Sequence, residues 1–409
     1  MKTIAILTAT RAEYGLLKPI IIALKETGTY NIKVLVTGAH LSPEFGLTYK
    51  EILDDNIKID KQIDILLSSD TPSAISKSMG LAIMGFADYF TDNRPDALMV
   101  LGDRYETLAV CLAAMNERIP IIHLYGGDTT EGAVDEAIRH AITKLSYLHL
   151  VSNEESKNRV IQLGEAPERV FNVGAIAVEN ALKMPLMTKE ELSSSLGINL
   201  EKEYAVVTFH PVTLENSSAK EQCIELLNAI SIHDEMNYII TKANADTNGR
   251  IINKMLEEYT KSHDNATLFD SLGVKRYLSA LKYASMVIGN SSSGLGEAPS
   301  FHIPTVNIGD RQRGRLKSTS VIDCAPNSSD INNAIKMAQS NSFKEICNST
   351  VNPYGDGNTS SKIVDIINDF ANSKIDIKKT FYNIKEYNSE VSKCSYQFVM
   401  FLFLLFLSY

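Results

Sequence analysis

The chain has 409 residues, 44% of them hydrophobic and 22% charged, with a formal net charge of −9. That is long enough for two domains with separate cores, and the composition is that of a globular protein. The acidic balance argues against a nucleic-acid surface as main partner, so an anionic small ligand would need a local arginine cluster.

Taken in order, residues 3–10 (TIAILTAT) read as a strand, Arg11–Gly15 as a loop, and Leu16, Leu17, Ile20, Ile21 and Leu24 as a helix closed by Gly28. The start, MKTIAILTAT, shows no signal-peptide cleavage pattern. Asn31–Gly38 is the next strand. A long helix follows Pro72, with Ile75, Met79, Ala82, Ile83, Phe86 and Phe90 on one face. Ala97–Leu101, Ile119–Leu124 and His149–Ser152 are further strands. Alternation of this kind predicts a doubly wound parallel sheet. The pattern then repeats: strands at Tyr204–Phe209, 237–243, Ala266–Asp270, Met286–Asn290 and Pro304–Gly309, with helices at 217–233, 249–263 and 274–284. A late helix covers Ser361–Phe370.

The expected fold class is therefore α/β, with two Rossmann-like doubly wound domains facing a central cleft. Residues 1–176 form the first and 177–362 the second, with a hinge near Gly174–Asn180. A C-terminal helix within 363–385 is expected to return to the first domain, and residues 386–409 to lie outside the fold. Phe398–Leu407 (FVMFLFLLFL) is ten apolar residues in a row, short of the ~20 that span a bilayer as a helix. We read it as an appended tail, the alternative being a membrane or partner anchor. Five scattered cysteines (Cys111, Cys223, Cys324, Cys347, Cys394) lack C-x-x-C spacing, which suggests reduced thiols in a cytoplasmic protein without a zinc site.

Ligands of open parallel sheets bind beyond the carboxyl ends of the strands. Gly102-Asp103 follows one strand, Gly126-Gly127-Asp128 the next, and a helix then opens with Asp135-Glu136 and runs to Arg139-His140. Asp103, Asp128, Asp135 and Glu136 are thus placed to converge on one crevice, where crowding pushes carboxyl pKa values apart and separates an acid from a base. The plainer reading is a pair of intrahelical salt bridges, Asp135 with Arg139 and Glu136 with His140. His123 lies inside a strand and is read as structural.

The first βα turn, T-A-T-R-A-E-Y-G, is not G-x-G-x-x-G and gives little support to a dinucleotide site. Arg11 there either holds a phosphate at the helix mouth or pairs with Glu13. G-N-S-S-S-G-L-G-E-A-P (289–299) is the stronger anion site. Asn290, Ser291, Ser292, Ser293 and Gly294 turn the chain into a short helix that can cradle a diphosphate, and Glu297 can accept ribose hydroxyls. A serine turn that only caps a helix is the alternative. Arg276 and the cluster Arg311, Arg313 and Arg315 supply nearby positive charge. His210 closes a strand before Pro211, as a core histidine or as a catalytic or phosphate-binding one.

TATRAEYGLLKPI, HLSPEFGLTYKEI, VLGDRYETLA, GGDTTEGAVDEAIRHAITK, TFHPVTL and GNSSSGLGEAPSFHIPTVNIGDRQRGR together resemble the hydrolysing UDP-N-acetylglucosamine 2-epimerases. These include bacterial sialic-acid and legionaminic-acid pathway enzymes and the epimerase half of an animal bifunctional enzyme. The resemblance covers roughly residues 1–380. It implies the GT-B-like fold of a class of glycosyltransferases, a UDP-sugar in the cleft, and neither metal nor nicotinamide. It also implies anti-elimination of UDP to a 2-acetamidoglycal, followed by hydration. Carried over by motif, Asp103, Asp128, Asp135 or Glu136, and His210 are catalytic candidates. Arg11, Ser291, Ser292, Ser293, Glu297 and Arg315 fall in the nucleotide site, with Arg139, His140, Arg276, Asn290, Gly294 and Arg311 lining the cleft. Many relatives have Glu where Asp128 stands, and the non-hydrolysing branch has Glu where Tyr125 stands. The second departure favours the hydrolysing branch. The expected reaction is UDP-N-acetylglucosamine plus water to N-acetylmannosamine plus UDP. The same reaction on a UDP-2,4-diacetamido-trideoxyhexose is the alternative, and a glycosyltransferase the alternative from another class. No membrane is expected as partner, and a dimer or tetramer is.

Overall fold

The computed structural model describes residues 1–69, 71–130, 134–211, 218–243 and 249–384. The first half alternates β1 (Lys2–Thr8), α1 (Arg11–Glu26), β2 (Tyr30–Thr37), α2 (Tyr49–Asp54), β3 (Lys61–Ile63), α3 (Pro72–Asp92), β4 (Ala97–Leu101) and α4 (Tyr105–Asn116). It continues with β5 (Ile121–Leu124), α5 (Val134–Leu145), β6 (Leu148–Val151), α6 (Glu154–Gln162) and β7 (Val170–Asn172). The seven strands form one parallel sheet in the order β3-β2-β1-β4-β5-β6-β7.

Helices α7 (Ile176–Lys183) and α8 (Lys189–Leu196) lead to β8 (Tyr204–Thr208), α9 (Ser218–Ser231), β9 (Asn237–Thr241), α10 (Gly249–Ser262), β10 (Ala266–Phe269) and α11 (Gly273–Tyr283). Then come β11 (Met286–Gly289), α12 (Ser293–Gly296), β12 (Thr305–Ile308), β13 (Val321–Cys324), α13 (Ser328–Gln339), α14 (Asn341–Asn348) and α15 (Thr359–Asn372). Their sheet is also parallel, in the order β10-β9-β8-β11-β12-β13. The order reverses between β1 and β4 in one sheet and between β8 and β11 in the other, and each reversal opens a crevice at the strands' carboxyl ends.

The central strands of both sheets are buried on two faces, as helix-covered parallel sheets require, while the edge strands are partly exposed. Tyr14, Leu17, Ile20, Ile21 and Leu24 cover the first sheet from α1, joined by Ile363, Ile367 and Phe370 of α15. The second half thus ends on the first sheet. The core side of α3 is built by Ala82, Phe86 and Phe90, while Ile75 in its first turn stays partly exposed. No helix among the described residues is long and apolar enough to cross a membrane. Residues 386–409, with the apolar run, lie outside the described residues.

One expectation fails at the first turn. Arg11–Gly15 is helix, not loop. The Thr10 hydroxyl accepts from Glu13 N (3.3 Å) and Glu13 Oε2 accepts from Ala9 N (2.7 Å) and Thr10 N (3.2 Å). This capping box starts the helix five residues early and takes Glu13 away from Arg11.

Candidate active site

The first half of the site is organised by one guanidinium. Arg139 projects from α5 and is 2% exposed. Its Nη2 donates to Asp103 Oδ2 and to Thr130 Oγ1 (2.9 Å), and its Nη1 donates to Glu136 Oε2 (3.0 Å) and the Asp128 carbonyl (2.8 Å). Burial pulls its pKa down, but Asp103, Asp128 and Glu136 outweigh it and the net shift is upward. Asp103 can reach it because Gly102 turns the chain at a positive φ of 81° as β4 ends. His123 stiffens that turn, its Nε2 bonding the Gly102 carbonyl at 2.8 Å.

The expected Asp135–Arg139 pair is not what forms. Arg139 reaches back to Glu136, three residues away, and outward to Asp103, while the charge of Asp135 acts on Arg104. The other expected pair is present, with His140 Nε2 3.1 Å from Glu136 Oε1. Asp128 enters the cluster by its carbonyl. Its carboxylate is turned onto the hydroxyls of Ser152 (2.9 Å) and Ser156 (2.6 Å). Asp103, Asp128, Glu136, Arg139 and His140 therefore meet in one place, with two carboxylates on a single buried cation. The cluster is net negative and suits a centre that becomes positive during reaction.

The second half is built at β8 and β11. A Cβ on Gly289 would lie 1.9 Å from the Thr208 carbonyl oxygen, so only glycine lets these strands approach. Asn290 then clamps them: its Oδ1 accepts from His210 N (2.7 Å) and its Nδ2 donates to the His210 carbonyl (2.8 Å). Arg311 Nη1 (3.1 Å) and Gln312 Nε2 (2.8 Å) donate to the Asn290 carbonyl. Asn290 thus uses its side chain as a brace. In the turn that follows, Ser291 Oγ accepts from Ser293 N (3.3 Å), Ser292 is exposed, and Gly294 packs where a Cβ would come within 2.6 Å of Thr305. The Ser293 and Tyr277 hydroxyls are buried with no well-formed hydrogen bond among the described residues, Tyr277 lying beside Ser293 and Thr208 and Ser293 beside Glu297, so both remain able to serve a ligand. Burial raises the Glu297 carboxyl. Arg276 folds back on its own loop, donating from Nε to the Leu272 carbonyl at 2.8 Å.

The halves touch across the cleft. Arg11 pairs with Glu51 (2.9 Å) and donates to Ser271 Oγ in the opposite half (3.2 Å). Arg315 donates to the Thr129 carbonyl (3.1 Å) and to Thr130 Oγ1 (3.1 Å), and Thr129 Oγ1 donates to the Gly314 carbonyl (3.0 Å). Thr130 is thus shared by Arg139 and Arg315. Sequence reading missed it, and the only signal was its place two residues beyond Asp128. Also missed were Tyr277, Gln312 and Arg104. Burial lowers the pKa of Arg104, but Glu106, Glu13 and Asp135 raise it more. Tyr125 sits at positive φ (65°) and accepts from Ile176 N (2.7 Å).

These burials set an acid limit on stability. His40, His123 and His210 are pushed down to about 4, 3 and 3, chiefly by burial. Below their usual 6.5 the unfolded chain binds protons that the folded chain refuses. Stability is therefore full above that pH and falls on acidification by about 1.4 kcal/mol per unit for each histidine. Glu13 opposes them: burial raises it to about 7 from 4.5, so its contribution is full below 4.5 and lost as pH rises to 7. Three groups outweigh one, so the urea midpoint is expected to be lower at pH 5 than at pH 7. A midpoint that holds or rises would contradict this balance.

Comparison with known proteins gives the family. A family model described as UDP-N-acetylglucosamine 2-epimerase matches residues 22–368. The chain is 44% identical over 345 residues to a GDP/UDP-N,N'-diacetylbacillosamine 2-epimerase (hydrolyzing) of Campylobacter jejuni, covering 84% of this chain and 89% of that protein. It is 43% identical to the polysialic acid biosynthesis protein P7 of Escherichia coli, covering 94% and 98%. It is 33% identical to the UDP-N,N'-diacetylbacillosamine 2-epimerase (hydrolyzing) of Legionella pneumophila, covering 90% and 96%. The fold matches a crystal structure of Neisseria meningitidis UDP-GlcNAc 2-epimerase bound to UDP-GlcNAc with a TM-score of 0.78, at 20% identity, over 90% of this chain and all of the other.

Proposed function

The chain belongs to the UDP-N-acetylglucosamine 2-epimerase family, and we propose that within it the protein is a hydrolysing enzyme that takes UDP-N-acetylglucosamine and water to N-acetylmannosamine and UDP. The observation that carries this is the pairing of Asp103 and Glu136 on Arg139 at the end of β4, joined through Thr130 to the arginine loop of the nucleotide-binding half. No carbonyl acidifies the C2 hydrogen, so cleavage of the C1–O bond leads and UDP departs with the bonding electrons. The oxocarbenium-like charge at C1 is met by the carboxylates, and one of them takes the C2 proton as the C1–C2 double bond forms. Water then adds its hydroxyl at C1, and a proton returns to C2 from the opposite face. Asp103, Asp135, Glu136 and His210 are the groups we assign to these steps, with Asp128 acting through its carbonyl on Arg139. Ser291–Gly294, Glu297, Arg11 and Arg315 hold the UDP.

A second substrate is favoured by a specific observation: two of the relatives are named for N,N'-diacetylbacillosamine, and both names carry the word hydrolyzing. On that reading the 4-hydroxyl is replaced by a 4-acetamido group and the chemistry at C1 and C2 is unchanged. A glycosyltransferase would need an acceptor and gives no role to the clustered acids.

Incubation with each UDP-sugar in heavy water, without acceptor, separates these readings. Free sugar carrying deuterium at C2 is expected. Sugar released without that label would overturn the epimerase reading, and no release without an acceptor would favour the transferase. Glu297→Ala and Ser292→Ala are each expected to weaken UDP binding about tenfold, the worth of one or two hydrogen bonds. Calorimetry showing unchanged affinity would move the nucleotide elsewhere.

A further inference from the structure

The chain beyond α15 turns back across the far end of α5. Lys379 Nζ donates to the carbonyls of Lys144 (2.8 Å) and Ser146 (2.6 Å) and to Glu165 Oε2 (2.8 Å). Tyr382 N donates to the Gly164 carbonyl at 2.9 Å. The Phe381 ring lies against Gly164 where no side chain would fit, with the Lys144 ammonium 4.9 Å from its centroid. Glu165, 1% exposed, also accepts from Lys144 Nζ (2.6 Å) and meets His149 Nε2 (3.1 Å). One buried carboxylate thus bolts together this segment, the end of α5 and β6.

Elsewhere α5 is held by Arg139 near its start and by buried Ile142 and Thr143 in its middle, with Ile138, Ala141 and Leu145 partly buried. Its last turn is left to the segment after α15. Its first turns carry Asp135, Glu136, Arg139 and His140, and Arg139 aligns Asp103 with Glu136. A helix leaves its last carbonyls without intrahelical partners and gathers partial negative charge there. An ammonium at that end satisfies the carbonyls and resists any sliding of the helix.

We infer that Lys379 is a positioning residue for the reaction: the segment 374–384 fixes α5 from its far end and so keeps Asp103, Arg139 and Glu136 in register. The inference rests on the reading that this cluster does the chemistry. The test uses the full chain with Lys379→Met, Lys379→Arg and Phe381→Ala, reading amide hydrogen exchange over 135–145, UDP affinity, kcat and KM. Lys379→Met is expected to speed exchange across 135–145 about tenfold, and to lower kcat on the order of 10- to 100-fold, the usual cost of a misplaced group. UDP affinity should stay within about twofold, since its site lies on the other sheet. Lys379→Arg should restore most of kcat, and Phe381→Ala should show the same pattern more weakly.

Unchanged exchange in both Lys379→Met and Phe381→Ala would overturn the inference whatever the activity. Faster exchange with kcat intact would overturn the positioning role, and so would a parallel fall in UDP affinity. Failure of the underlying reading shows itself separately, as full turnover by Asp103→Asn, while the exchange measurement still decides whether the segment holds α5.

Discussion

Asp103→Asn is expected to lower kcat by about 10³-fold or more, the scale of losing a charge that stabilises the transition state and its proton transfer. Binding of UDP should survive. Asparagine keeps the shape of the side chain and still offers an oxygen to Arg139 Nη2, so the turn after Gly102 has no cause to move. The carboxylate's negative charge alone is removed. Apart from Arg11, the groups proposed to hold the diphosphate and ribose stand on the loops after β11 and β12, in the other half of the molecule. Stopped assays of UDP release, with calorimetry of UDP on the same preparation, would check both limbs. Unimpaired turnover would remove Asp103 from the site.

Arg139→Met should cost more, because it damages fold and chemistry together. It strips the cation from two carboxylates and orphans the Asp128 carbonyl, and it leaves the Thr130 hydroxyl to Arg315 alone. Breaking a buried ion pair from one side costs about 3–5 kcal/mol, here eased by the partial exposure of Asp103 and Glu136, whose side chains are 25% and 28% exposed. A fall of at least about 2 kcal/mol in unfolding free energy is therefore expected, with no detectable turnover. Arg139→Lys should recover part of the stability but little activity, since a lysine ammonium cannot reproduce a planar fork that reaches four acceptors. Urea titrations of the three proteins measure this directly. An unchanged midpoint in Arg139→Met would mean that the guanidinium holds nothing.

How much of this was legible in the sequence depends on range. The strand ends were, because a parallel sheet delivers every loop after a strand to the same edge. Asp103, Asp128, His210 and Ser291 were found that way. The partner of Arg139 was not, since helical spacing offers Asp135 four residues away, whereas the contact that forms comes from another loop. Asn290 looked like part of an anion cradle, and nothing local signals that its amide spans to His210. Arg311 and Arg315 look alike on paper, yet one braces the Asn290 carbonyl and the other crosses to Thr129. The start of α1 was a different kind of miss: Thr10-Arg11-Ala12-Glu13 spells a capping box, and it was passed over for the arginine inside it.

The shared hydroxyl of Thr130 carries a consequence for how products leave. Parting the two halves here breaks three hydrogen bonds, two from Arg315 and one from Thr129, a toll of about 1 kcal/mol each. The bond from Arg139 to the same oxygen need not break. On the proposed reading, the spent nucleotide can leave through a mouth that opens cheaply while the acids behind it stay assembled, ready for the next donor.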